Sequence, residues 1–379
     1  MVLLNVPWLV TPANAGAQSC LQLLDFGIRR NDETGNSNFL RGDRHLKQRK
    51  KPMHTDCKFN YTTLFGPVLS RRLGVSLGID LMRHKTCSLD CIYCECGPTT
   101  HLTTRRKAYV SVDQVKAELR AYLSRKIKID YITFSGAGEP TLNEGIGEII
   151  EFLKSDYPQY KVALLTNSTL FDQEIVRRQI MPADVVMASL DAAGEEQFQR
   201  VNRPHPNLDL NAIVEGIAAF KKTFRGRLLM ECFMVNGCND TIEELSRLKT
   251  VLTRIDADDI VLNTLDRPGA EAWVQPVESN RLKNISDFFG DAEIVRYEAA
   301  PYATAMGHED LTERLVSTVR RRPCTAQDIS RIMGLGIETI QPALDRLLAS
   351  NQLIVKQMER GLFYMVKPGK VKNSDPQSL

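Results

Sequence analysis

The sequence predicts an α/β fold built on a parallel sheet, with a small second unit towards its C-terminal end. Between residues 73 and 265, six strand candidates alternate with helices, which is the pattern of βα units with parallel strands. From about residue 308 the pattern changes to three helices and a hairpin. The 379 residues are enough for one large domain plus a small one. With 43% hydrophobic and 25% charged residues, the composition is that of a globular chain able to bury a sizeable core.

Taken in order, LGVSLGIDLM (73–82) is a strand leading into a cysteine-rich loop. SVDQVKAELRAYLSRK (111–126) spaces Val112, Val115, Leu119 and Leu123 as one stripe of a helix. The strands IDYITFSG (129–136), KVALLTNST (161–169), ADVVMASLDA (183–192), RLLMECFMV (227–235) and DDIVLNTL (258–265) follow. Helices are predicted over 145–155, 171–179, 208–224 and 239–255. Ligands of such sheets sit at the carboxyl ends of the strands. Those ends carry cysteines, SGAGEP, TNST, SLDA, VNGCND and TLDRPG, so small and polar residues from separate units meet at one edge.

In the second unit, residues 308–322 form an amphipathic helix with acids at its start and arginines at its end, both favourable to the helix dipole. Thr325 and Asp328 have capping-box spacing, with Asp in place of Glu. Thr339 opens a third helix with Pro342 in its first turn, and residues 353–366 form a hairpin turning at Glu359-Arg360-Gly361. Three helices and a two-stranded wing resemble a winged helix-turn-helix module. Residues 367–379 read as a flexible tail.

The chain starts differently. Residues 2–10, VLLNVPWLV, are apolar, but no basic region precedes them and Pro7 interrupts the run, so a signal peptide fits poorly. No later stretch has the length and apolarity of a membrane span, and a cytoplasmic protein with no membrane partner is expected. Residues 11–52 lack an apolar period. The basic run RGDRHLKQRKK (41–51) suits either a nucleic-acid-binding arm or a solvated extension. The expected layout is a disordered extension over 1–60, a core domain over 65–300, a small domain over 308–366 and the tail. A net charge of +3 offers no global polycation argument for nucleic acid.

Nine cysteines are present, and Cys87, Cys91, Cys94 and Cys96 crowd into ten residues. This is no disulfide framework of a small secreted domain; it reads as metal binding in a reducing compartment. Three thiolates in Cys87-Ser-Leu-Asp-Cys91-Ile-Tyr-Cys94 suit an iron–sulfur cube with one iron left open. A zinc site with Cys96 as fourth ligand is the alternative. In SGAGEPT (135–141), glycines permit close backbone approach and Glu139 adds charge; a tight turn is the plainer reading. Asn167, Ser189 and Asp191 can hydrogen-bond a ligand or simply cap helices. Cys232 and Cys238 lack partners at ligand spacing and read as buried thiols.

The CxxxCxxC spacing, with Tyr93 before the last cysteine, resembles the cluster loop of radical S-adenosylmethionine (SAM) enzymes. Gly136-Ala137-Gly138-Glu139 resembles their glycine-rich motif. FGPVLSRRLGVSLGID (65–80) is similar to a phrase in Fe–S oxidoreductases akin to the tRNA wyosine-type synthases and to relatives with a winged-helix tail. The likeness covers roughly 65–275 and is specific for the superfamily rather than for one reaction. It implies a partial (β/α)6 TIM-like barrel of the radical SAM type, with Cys87, Cys91 and Cys94 on a [4Fe–4S] cluster. It further implies SAM held by Tyr93, Gly136, Gly138 and Glu139, with Asn167, Ser189 and Asp191 at its ribose and carboxylate, and VNGCND near its adenine. Reductive SAM cleavage to a 5′-deoxyadenosyl radical follows, with a flavodoxin or ferredoxin as electron donor.

No acid–base pair is sought for the radical-forming step, and catalytic residues acting on the substrate are unassigned. RNA is one substrate class, supported by the wyosine-type likeness and the basic patches at 41–51 and at Arg71 and Arg72. A peptide, protein or small metabolite is another, and Arg267 is a candidate to face it. The rival class is a DNA-binding regulator sensing through the cluster, with the winged helix on nucleic acid or protein. Residues 308–366 hold eight Lys/Arg against seven Asp/Glu, fewer net charges than DNA-binding modules usually carry. Finally, Met53 precedes the first orderly sequence, and residues 1–52 read as a mis-assigned extension. The intact mass of the native protein should then correspond to a chain beginning at Met53; a mass that includes residues 1–52 overturns this reading.

Overall fold

The computed structural model describes residues 61–70, 73–83, 85–295 and 311–367. Its main sheet begins with strands β1 (Leu64–Ser70) and β2 (Gly74–Ile79), an antiparallel pair. Two short strands, β3 (Thr86–Cys87) and β4 (His101–Leu102), brace the cysteine loop. Helix α1 (Val112–Leu123) then leads to β5 (Tyr131–Phe134), α2 (Ile146–Asp156) to β6 (Lys161–Thr166), and α3 (Glu174–Ile180) to β7 (Val185–Ser189). After a short turn, α4 (Glu195–Gln197), and a π-turn over Phe198–Asn202, α5 (Leu210–Thr223) returns to β8 (Arg227–Met234). Then α6 (Ile242–Ile255) leads to β9 (Asp259–Thr264), and α7 (Ser279–Phe288) to β10 (Glu293–Ile294).

The strand order is β1-β2-β5-β6-β7-β8-β9-β10, parallel throughout from β2 onward. This is the expected α/β class with a mostly parallel sheet, and all six strand candidates lie in it. Parallel strands covered by helices read as continuous apolar runs. Ile132, Phe134, Val162, Leu164, Val186 and Leu228 are buried accordingly. Two features differ from the sequence reading. β1, within the phrase before the cysteine loop, adds an antiparallel edge strand. α7 buries only Leu282, Ile285 and Ser286, too thin a stripe to be seen as a helix.

The C-terminal unit contains α8 (Leu311–Arg321), β11 (Cys324–Thr325), α9 (Ala326–Met333), α10 (Ile337–Ala349), β12 (Leu353–Met358) and β13 (Gly361–Val366). Its strands pair in the order β11-β13-β12. Leu315, Ile329, Ile340, Leu344 and Leu353 form its own core. Both capping-box bonds between Thr325 and Asp328 are present. The third helix starts at Ile337 behind Gly336, two residues earlier than the sequence reading, so Pro342 lies inside it. A proline there forfeits one intrahelical hydrogen bond.

One buried carboxylate fixes how β1 enters the sheet. Glu118 of α1 accepts from the Thr63 amide (2.9 Å) and hydroxyl (2.7 Å), and from the Thr62 hydroxyl (2.9 Å). Helix α1 thereby satisfies backbone donors that precede the first strand. The Glu118→Ala variant would leave those buried donors unpaired and should lose about 3 kcal/mol of unfolding free energy in urea denaturation. A loss below about 1 kcal/mol would sink this account.

Candidate functional site

The loop from β2 to α1 carries the cysteines, and its start is pinned. The Lys85 carbonyl accepts the Thr100 and His101 amides, at 3.1 and 3.0 Å. Cys87, Cys91 and Cys94 are free and half-buried. Each of their sulfurs receives a side-chain N–H. Asn167 Nδ2 lies 3.4 Å from Cys87 Sγ, Asn202 Nδ2 3.4 Å from Cys91 Sγ, and Lys85 Nζ 2.8 Å from Cys94 Sγ. These donors come from the end of β6, the π-turn after β7 and the loop itself. Loss of hydration pushes the Cys87 thiol up to about 11 and the Cys91 thiol higher still. Cys94 is held below its ordinary value, first by a hydrogen bond from Cys96 and then by the Lys85 charge. Thiolate ligation would therefore release protons from Cys87 and Cys91.

Cys96 turns towards the C-terminal unit, with its Sγ 3.1 Å from the Arg321 carbonyl oxygen. Among the described residues, no three His, Cys, Asp or Glu side chains gather tightly enough to hold a single metal ion.

The glycine-rich turn touches this loop directly. A Cβ at Gly138 would lie 1.9 Å from the Thr86 carbonyl oxygen, so the residue before Cys87 packs where a side chain would be. At Gly136, φ is +151° and a Cβ would meet the Asp80 carboxylate. Both glycines thus admit neighbouring protein groups. Glu139 is 2% exposed. Its Oε1 accepts from the Thr141 amide and hydroxyl and from Thr166 Oγ1, and its Oε2 from the Asn167 amide at 2.7 Å. Burial raises its pKa against these hydrogen bonds.

Tyr93, Asn167, Ser189 and Asp191 line one cavity of about 40 Å³, together with Asn202. The Tyr93 ring stacks on Phe233 at 3.9 Å, and its hydroxyl donates to Asp191. Asp191 also accepts from Asn202 Nδ2 at 2.7 Å and from the Phe233 amide at 2.8 Å. Burial pushes it up to about 6. Asn202 Oδ1 is buried and has no hydrogen-bond partner among the described residues. An unpaired buried acceptor in a polar cavity suits a ligand hydroxyl. The three cysteine sulfurs, each with a donor in place, fit a cluster, and the adjacent cavity offers an unpaired acceptor to a ligand.

Sequence reasoning missed Lys85 and Asn202. Neither stands at a strand end, and no spacing marks them; Asn202 reaches the site only because the π-turn folds back. Arg267 does not face a substrate. It is 4% exposed and pairs with Glu95 of the cysteine loop at 3.4 Å and with Asp328 at 3.3 Å, and it donates to the Pro323 carbonyl at 2.7 Å. It joins loop to C-terminal unit, reinforced by Arg360 on Asp266 at 2.7 Å. Asn239 caps no helix: Thr241 does, while Asn239 Nδ2 donates to the Asp191 and Phe233 carbonyls. Cys232 and Cys238 are buried among apolar residues. Arg71, Arg72 and the 41–51 run lie outside the described residues.

A model described as the Radical SAM superfamily matches residues 83–250, which include all three cysteines, the glycine turn and the cavity. A UPF0026 protein of Helicobacter pylori is 31% identical over 309 residues, covering 81% of this chain and 98% of that protein. The chain belongs to the UPF0026 family. It is a radical SAM superfamily enzyme, and its cofactors are a [4Fe–4S] cluster and SAM. Another relative, named GTPase Obg in Brachyspira hyodysenteriae, is 30% identical over 344 residues, 87% of this chain; the chain spans half that protein's length. Among solved structures, a radical SAM methyltransferase from Sphaerobacter thermophilus aligns with a TM-score of 0.46 at 18% identity, over 59% of this chain and 67% of that one. No helix among the described residues of this UPF0026 protein is long and apolar enough to cross a membrane.

The elevated Asp191 makes a pH signature. Its folded value, about 6, exceeds the ordinary 3.8, so its contribution to stability is complete below about 3.8 and lost as pH rises through about 6. Across that window, wild type should lose on the order of 3 kcal/mol relative to Asp191→Asn, at about 1.4 kcal/mol per unit. Urea denaturation at several pH values reads the difference; a gap independent of pH contradicts it.

Proposed function

We propose that Cys87, Cys91 and Cys94 hold the cluster in a partial (β/α)6 barrel spanning 65–300, and that the enzyme abstracts hydrogen from an RNA substrate. The observation carrying the site assignment is the convergence of Asn167, Asn202 and Lys85 on the three sulfurs, beside the cavity of Tyr93, Ser189 and Asp191. A cluster and SAM held by these residues would supply one-electron radical chemistry able to take a hydrogen from the substrate.

The chain's own residues bind and orient. Three cysteines leave one iron without a protein ligand. Glu139 Oε2, carrying only the Asn167 amide among the described residues, keeps capacity for the SAM ammonium. Gly136 and Gly138 hold that carboxylate close to the cysteine loop. Asn167, Ser189 and the unpaired Asn202 Oδ1 meet the ribose and carboxylate, and Asp191 fixes Tyr93 and Asn202 around them. A flavodoxin or ferredoxin is the proposed electron donor. The winged-helix reading of 308–366 is part of this proposal, with that module covering the outer side of the cysteine loop. RNA as substrate rests on the wyosine-type likeness.

After anaerobic reconstitution with iron and sulfide, Cys91→Ala should lose both the visible absorption of the cluster and dithionite-dependent release of 5′-deoxyadenosine, two ligands being too few to hold the cube. Full release in that variant refutes the ligand assignment. With wild type, tRNA should accelerate release; acceleration by a tRNA-free extract alone would replace RNA with another substrate.

A further inference from the structure

Lys85 is 3% exposed, a deeply buried position for an ammonium-bearing side chain. Long charged side chains are almost never buried without a partner. Among the described residues, its ammonium donates to Cys94 Sγ at 2.8 Å and to the Gly97 carbonyl oxygen at 2.7 Å. No carboxylate reaches it within 4.0 Å among the described residues. Its backbone is bound to Thr100 on both sides: the Lys85 amide donates to Thr100 Oγ1 at 2.9 Å, and its carbonyl accepts the Thr100 amide. The side chain is therefore aimed. Burying an ammonium is costly unless an opposite charge compensates it, and the opposite charge here is the thiolate of a proposed cluster ligand.

The two other cysteine sulfurs receive neutral amides, from Asn167 and Asn202. Among the described residues, Cys94 alone of the three receives a cation. We infer that Lys85 is a positioning residue that sets the reduction potential of the cluster, its ammonium stabilising the reduced state through the Cys94 sulfur; this rests on the reading of the three cysteines as cluster ligands. Reduction adds one electron from an external one-electron donor and makes the cluster more negative by one charge. A fixed positive charge in a poorly hydrated site favours the more negative state, and hydrogen bonds to sulfur act in the same direction. The neutral amides provide the second effect alone, whereas Lys85 provides both.

The test is a potentiometric titration followed by electron paramagnetic resonance, on reconstituted full-length protein without SAM. It compares wild type with Lys85→Met, Lys85→Gln and Lys85→Arg. At a fixed potential, the reduced-to-oxidised ratio should fall about tenfold or more in Lys85→Met, equivalent to about 59 mV for a one-electron couple. Lys85→Gln, which keeps a neutral donor, should also fall, by less. Lys85→Arg, which keeps the charge, should stay closer to wild type than either. An unchanged ratio in whichever neutral variant carries a cluster overturns the inference. So does failure of both neutral variants to bind iron and sulfide, because Lys85 would then be needed for assembly rather than for potential. Failure of wild type itself to bind a cluster would instead reject the underlying ligand assignment.

Discussion

The missing side chain at Gly138 sets the geometry of everything around the cysteines. The Thr86 carbonyl sits 1.9 Å from where a Cβ would be, so the glycine turn and the cysteine loop share one layer of backbone. The Glu139 amide then donates to that same carbonyl at 3.2 Å. From there the Glu139 carboxylate reaches Thr166 and Asn167 at the end of the neighbouring strand, and Asn167 reaches back to Cys87. A closed circuit results: loop, turn, next strand end, loop. A methyl group at one position would open it.

The residues of this circuit could be placed at one edge of the sheet from sequence, while their wiring could not. Alternation of apolar strands with amphipathic helices marked β2 and β5 to β9, because period and burial are local properties of the chain. The same alternation placed Cys87, Glu139, Asn167 and Asp191 at strand ends, hence at one edge. Which atoms meet across that edge depends on loop paths of low periodicity. Asn202 reaches Cys91 through a π-turn, and Lys85 reaches Cys94 through a side chain folded back along its own loop. Arg267 was misplaced for the same reason. An arginine beside a Pro-Gly pair looks like a surface turn, and only the docking of α9 encloses it.

Two kinds of polar burial divide the work. Glu118 is saturated by hydroxyl and backbone donors, so its charge is spent on holding elements in register, and Glu139 Oε1 is filled in the same way while its Oε2 carries the Asn167 amide alone among the described residues. Asp191 and Asn202 are satisfied on the protein side, but Asn202 still offers a bare oxygen to the cavity. Saturated groups make a frame; the partly satisfied ones, Glu139 Oε2 among them, keep capacity for a visitor. Tyr93, stacked on Phe233, forms part of the cavity wall.

The ion pairs around Arg267 bear on how freely the two parts of this protein can be separated. Glu95 lies between Cys94 and Cys96, and Asp328 completes the capping box of α9, so one guanidinium is shared by the cysteine loop and the C-terminal unit. Breaking a buried pair of this type by removing one partner usually costs about 3–5 kcal/mol. Trimming the chain after the main sheet would strand Arg267 without Asp328 and expose the outer side of the cysteine loop. The C-terminal unit is thus no detachable accessory: grafting, shuffling or truncating at residue 300 alters the electrostatic footing of the cysteines themselves.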